Sequence, residues 1–230
     1  MIDPVKGIAK AYQQWPYRYR VRELFADSIE AFAISISNAI DHKHRQEREA
    51  RYMEIVRRYD PEVVRAWPSI FAQVVNALAD EPSDILGQVF HELEANNKAA
   101  GQFFTPNEIG KLMAFVNFSN TDELQSAIDK KGYVSVSDPA CGSGALLISS
   151  AIAFGAAGFN YQTKLHITAT DIDRLAVHMV YIQLSLLHIP AIIIHGNSLS
   201  LEEHQHWFTP AHIIGCWDRK LARTSVDDAA

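Results

Sequence analysis

The sequence is poor in several features that would decide its class at once. It holds only two cysteines among 230 residues, Cys141 and Cys216. Two such distant thiols make neither a disulfide framework nor a metal-ligand spacing, so the expectation is a reducing, cytoplasmic setting and no bound metal. Long apolar runs are missing too. Ala31-Phe32-Ala33-Ile34 and Ala191-Ile192-Ile193-Ile194 fall far short of the roughly 20 residues that cross a bilayer. The first residues, Met1-Ile2-Asp3-Pro4, lack the charged-then-apolar order of a signal segment. Positive charge is not in excess: the formal net charge is -6, which argues against non-specific attraction of the whole surface to duplex DNA and leaves room only for a local basic face. No internal repeat and no low-complexity linker interrupts the chain.

What is present is a chain with 48% hydrophobic residues, enough for one ordinary core and a smaller unit. Residues 1–98 read as a helical region. Val21, Leu24, Phe25, Ile29, Phe32 and Ala33 recur at spacings of three and four. The mixed charge run from His42 to Arg51 reads as a solvated helix face that includes His42 and His44. Asp60-Pro61 ends one helix and opens the next, and Pro68 predicts a second break. Phe71, Val74, Val75 and Leu78 resume the period, and Pro82-Ser83-Asp84 starts a helix through Leu86, Val89, Phe90 and Leu93. Arg18, Arg20 and Arg22 alternate with Tyr17, Tyr19 and Val21. Such interleaving suits a phosphate backbone or stacked bases; the nearby Glu23, Asp27 and Glu30 favour a solvated face with packing aromatics.

Residues 99–230 alternate strands with helices. Gly101-Gln102-Phe103-Phe104-Thr105-Pro106-Asn107-Glu108 is a loop running into a helix start, with Thr105 and Glu108 spaced as a capping box and Pro106 at the first helical position. Ile109, Leu112, Met113 and Val116 would form its buried stripe. Val134-Ser135-Val136-Ser137-Asp138 reads as a strand, and Asp138-Pro139-Ala140-Cys141-Gly142-Ser143-Gly144 as a turn into a helix carrying Leu146, Leu147 and Ile148. Ser143 is expected to cap that helix. Leu165 to Asp171 and Ala191 to His195 are further strands, separated by a helix through Leu175, Met179, Ile182 and Leu186. Strand–helix alternation implies a parallel sheet. Ligands of such sheets sit at the carboxyl ends of the strands, where Asp138, Asp171 and Asn197 fall. An acid at the second strand end suits two ribose hydroxyls, Ile172 suits an adenine face, and Asn197 suits the adenine edge. A dinucleotide fingerprint would need glycine at position 147, which is Leu147, so a nucleoside with a small charged tail fits better.

Asp138-Pro139-Ala140-Cys141-Gly142-Ser143-Gly144 resembles the S-adenosylmethionine (SAM) motif of N6-adenine DNA methyltransferases. Gly101-Gln102-Phe103-Phe104-Thr105-Pro106 resembles the loop preceding it in the modification subunits of type I restriction–modification systems, and Asp84-Ile85-Leu86-Gly87 resembles the helix leading into that loop. The resemblance covers residues 84–199. It implies an α/β fold, a partial Rossmann-like methyltransferase sheet of three to four parallel strands behind a helical N-terminal region, with SAM as cofactor and DNA adenine as substrate. It also implies that Gln102, Phe103, Phe104, Thr105, Pro106 and Asn107 close over the methionine part, and that the turn Asp138, Ala140, Gly142, Ser143, Gly144 lies under it. Asp171 would bind the ribose, Ile172 the adenine face, and Asn197 with Ser198 the adenine amino edge.

Two departures stand out: the family usually has Asp where Asn197 stands, and the second is larger. The family's Asn/Asp-Pro-Pro-Tyr/Phe tetrapeptide, which holds the flipped adenine, does not occur in the sequence. Its place would follow a fourth strand at Ala211-His212-Ile213-Ile214, where Gly215-Cys216-Trp217-Asp218 stands instead. Trp217 and Asp218 are the substitutes expected there, one to stack and one to accept a hydrogen bond. A partial sheet leaves an open edge for a protein partner or a second copy. Three expectations remain, the first two being an adenine-specific DNA methyltransferase and an inactive relative that regulates or counters restriction through protein or DNA binding. A SAM methyltransferase with another substrate is a third.

Overall fold

The computed structural model describes residues 3–15, 18–94, 113 and 118–227. Its first part is helical: α1 (Pro4–Gln13), α2 (Val21–Asn38), α3 (Arg45–Val56), α4 (Pro61–Asp80) and α5 (Ile85–Glu94). Asp3 caps α1 by accepting from the Val5 amide, and Pro4 and Pro61 occupy first helical positions, where a missing N–H costs nothing. Pro68 does not break the chain as its sequence position predicts; it lies inside α4. Val63, Trp67, Ile70, Val74 and Leu78 are buried along one face of that helix, and this continuous packing outweighs one lost backbone bond.

The second part holds α6 (Thr121–Lys131), β1 (Val134–Asp138), α7 (Ala145–Ala156), α8 (Tyr161–Lys164), β2 (Leu165–Asp171), α9 (Arg174–Leu186), β3 (Ala191–Asn197), β4 (Glu202–Phe208), α10 (Pro210–Ile214) and α11 (Trp217–Asp227). The sheet order is β1-β2-β3-β4. The first three strands are parallel, with Val136 beside Ile167 and Ala169 beside Ile193. The fourth strand differs from the expectation: it is Glu202–Phe208, antiparallel to β3. A four-residue connection is too short for the crossover that a parallel strand requires. Ala211–Ile214, expected as a strand, is helical because Pro210 starts α10 and the Thr209 hydroxyl caps it by accepting from the His212 amide.

One sheet face carries Leu165, Ile167, Ala169, Ala191, Ile193 and Trp207, all buried. They share a single core with Leu147 and Phe154 of α7, Val177 and Leu184 of α9, and residues from α1 to α5. Every residue of α9 from Ala176 to Ser185 is buried, because the helix lies between the sheet and α2. On the other face, His166, His212 and Trp217 stack together, while Ser135 and Ser137 of β1 are exposed.

Two ionic clusters fasten the helical part to the sheet part. The Arg48 guanidinium, expected in a solvated run, is instead buried; it lies 4.0 Å over the Trp207 ring and donates to Ser37, to Asp41 at 2.8 Å and to the His206 carbonyl at 2.8 Å. Glu30 accepts both arms of Arg51 at 2.9 Å and also accepts from Arg174. The arginines interleaved with aromatics have acidic partners: Arg18 pairs with Asp60, Arg20 with Glu23 and Arg22 with Glu94.

Burial pushes the imidazoles of His166 and His178 down to about 3, with the neighbouring His212 adding to the effect at His166 and Arg174 at His178. Unfolded, each would bind a proton below about pH 6.5. Their contribution is therefore complete above that pH and declines as pH falls from 6.5 toward 3, by about 2 kcal/mol per histidine at pH 5. His178→Leu is expected to lose less stability than the parent between pH 7 and pH 5 in urea unfolding. An equal loss in both proteins would contradict the assignment.

Candidate functional site

Three loops meet at the carboxyl end of the sheet. The first begins at Asp138, whose Oδ1 accepts from the Ala140 amide at 3.0 Å and sets the turn. The Cys141 amide then donates to the Thr170 carbonyl at 3.0 Å, joining the turn to the end of β2. Gly142 and Gly144 adopt φ values of 55° and 97°, a region that side chains disfavour. At Gly144 a Cβ would also lie 2.6 Å from Cγ2 of Val180, so glycine is what lets α7 approach α9. Gly144 takes the cap position of α7. Ser143, expected there, turns inward instead, and its Oγ donates to Asp84 Oδ2 at 2.5 Å.

The second loop follows β2. Asp171 Oδ2 accepts from the Gly142 amide and Oδ1 from the Asp173 amide, each at 2.8 Å. A carboxylate has about four lone-pair sites, so this one is clamped in place with capacity left over. Beside it Ile172 is 66% exposed, an apolar surface at the rim. Asp173 Oδ1 caps α9 by accepting from the Leu175 amide at 2.9 Å.

The third loop follows β3. Asn197 Oδ1 accepts from the Leu199 amide at 3.0 Å and the Ser200 amide at 3.3 Å. Only the oxygen can accept from a backbone N–H, so the amide orientation is fixed by chemistry and its NH2 remains as the donor. Ser198 is half-buried, and Leu199 and Leu201 are exposed. Burial, with Asp171 and Asp138 close by, pushes the Cys141 thiol up, which makes it a poor nucleophile.

The structure thus brings together Asp138, Ala140, Gly142, Ser143, Gly144, Asp171, Ile172, Asn197 and Ser198. Gln102, Phe103, Phe104, Thr105, Pro106 and Asn107 lie outside the described residues. Trp217 and Asp218 stand elsewhere. Trp217 is 1% exposed and packs on Tyr133, just before β1, and on His166, the second residue of β2. That is the amino end of the strands, opposite the three loops, so a ring there has no access to a base at the carboxyl end. Asp218 Oδ1 accepts from His212 Nε2 at 3.0 Å. A cleft of about 490 Å³ between Lys43, His44, Glu203, His204 and Phe208 includes none of the three-loop residues. No group of residues suited to a metal ion occurs among the described residues.

Sequence reasoning missed Asp84 as a contact of the turn, and Gln183. The signal for Gln183 was a lone amide in the apolar stretch from Met179 to Leu187. Asp84 looked like the start of a helix, and its tie to Ser143 depends on packing across the fold.

No curated protein and no solved structure matches the chain. The model of the N-6 DNA methylase family matches residues 80–217, a span that begins just before Asp84 and takes in all three loops. With more than half its length matched, the chain belongs to the N-6 DNA methylase family.

Proposed function

We propose that the chain binds S-adenosylmethionine at the three loops and serves the transfer of a methyl group to N6 of adenine in DNA, within a restriction–modification setting. The observation that carries this reading is Asp171: a carboxylate clamped by two backbone amides, with lone pairs free and the exposed Ile172 beside it. That pairing suits a ribose with its base. Asp171 would accept from the ribose hydroxyls and Ile172 would lie against the adenine ring. The expected contact of Asn197 with the adenine amino group changes in detail. Its oxygen is already used twice, so its NH2 would donate to a ring nitrogen of the adenine instead. The backbone of Gly142, Ser143 and Gly144 would run under the methionine part, and Gln102 to Asn107 would close over it, as the resemblance implies. SAM supplies an electrophilic methyl group on its sulfonium; the residues named here bind and orient it.

A second reading is favoured by a specific observation. The family tetrapeptide is missing from the sequence, and Trp217 and Asp218 lie at the wrong end of the sheet to replace it. In this reading the chain is an inactive relative that keeps the cofactor fold and acts through DNA, a protein partner or a second copy at the β1 edge.

Calorimetric titration of SAM onto the chain is expected to show binding. Asp171→Asn, which keeps an oxygen for a backbone amide, is expected to weaken it at least tenfold, about 1.4 kcal/mol, without a comparable fall in melting temperature. No binding by the parent, or equal binding by the variant, would sink the cofactor reading. Methyl transfer from labelled SAM to adenine-containing DNA separates the two readings: label at adenine N6 supports the enzyme, and binding without transfer supports the inactive relative.

A further inference from the structure

One buried acid has more partners than its local role needs. Asp84 precedes α5 and is 4% exposed. Its Oδ1 accepts from the Gly87 amide at 3.0 Å, which is ordinary capping of α5. The same oxygen accepts from Gln183 Nε2 at 2.9 Å, and Oδ2 accepts from Ser143 Oγ at 2.5 Å. Gln183 itself is fully buried. Its Nε2 also donates to the Ser143 carbonyl at 2.8 Å, and its Oε1 accepts from the Leu86 amide at 3.0 Å. Ser143 is therefore held at its hydroxyl and at its carbonyl by side chains from two other elements.

The space for this arrangement is kept by Gly87. A Cβ there would lie 2.1 Å from Asp84 Oδ2 and 2.4 Å from Ser143 Oγ. Glycine inside a helix is otherwise unfavourable, so its place in α5 is explained by the close approach of the acid and the hydroxyl. The three donors to Asp84 are all neutral groups. Burying an acid among neutral donors is a poor way to add stability, since apolar packing does it better. A fully satisfied buried network instead selects one arrangement of the groups it joins.

We propose that Asp84 and Gln183 are positioning residues for the cofactor turn, holding Ser143 so that the Gly142–Gly144 backbone presents a single surface to SAM. This rests on the reading that SAM binds at the three loops. Together with the Gly142 amide bonded to Asp171, it means that the turn is pinned from both sides. One pin comes from the ribose-side loop and the other from the helical part of the chain.

The test is a double-mutant cycle on SAM affinity with Asp84→Ala, Ser143→Ala and the pair, read by calorimetry beside melting temperature. Each single change is expected to weaken SAM binding about tenfold, and the double change no more than the larger single one, because both cut the same link. Amide exchange at Gly142 to Gly144 without ligand is expected to rise in Ser143→Ala. If the parent binds SAM and the single variants bind within twofold of it, or if the two effects multiply in the pair, the proposal is overturned while the cofactor reading stands. If the parent binds no SAM, both fall together. Should Asp84→Ala fail to fold, Ser143→Ala, which removes one oxygen, decides the matter alone: weakened binding with faster exchange supports the link, and parent-like values overturn it.

Discussion

The burial of α9 on every side from Ala176 to Ser185 is the constraint on which the rest of the structure depends. A helix that is apolar on all sides cannot sit on the surface of a sheet. It needs a second layer above it, and α2 of the helical part supplies that layer. The helical part is thus half of the enclosure around α9. The Asp138–Gly144 turn inherits its position from the same helix, because Gly144 rests on Val180 and Ser143 is tied to Gln183.

The charged groups at the join of the two parts work by selection more than by strength. Arg48 and Glu30 are almost withdrawn from water and each has several partners. Desolvation offsets much of the attraction in such pairs, whereas removing one partner strands the other. They therefore fix which faces of α2 and α3 meet the sheet. Arg174, bonded to Glu30, follows Asp173 directly in the chain, so the choice extends to the loop that carries Asp171.

The parallel strands, α7 and α9 were legible in the sequence because their burial leaves runs of one kind: Leu165 to Asp171, Ala191 to His195, Met179 to Leu187. The Asp138–Gly144 turn was legible because its glycines and acids are local requirements of the backbone. β4 was not, since Glu202-Glu203-His204-Gln205-His206 carries little apolar alternation and becomes a strand by pairing with β3. The same limit applies to Arg48, whose charge suggested solvent until Trp207, far along the chain, covered it. Ser143 had the composition of a helix cap, and only its distant partner Asp84 made it something else. Pro68 is the converse case, a strong local signal overruled by a buried stripe.

The Asx turn at Asn197 would have a consequence for purine choice in the proposed cofactor pocket. With both lone pairs of its oxygen taken by Leu199 and Ser200, the Asn197 side chain offers a donor only. A ring nitrogen bearing a lone pair, as N1 of adenine does, complements such a surface. Guanine carries a proton at N1, and in the same position it would set donor against donor. In the proposed pocket Asn197 itself would then favour adenine, because the turn has already used up its acceptor.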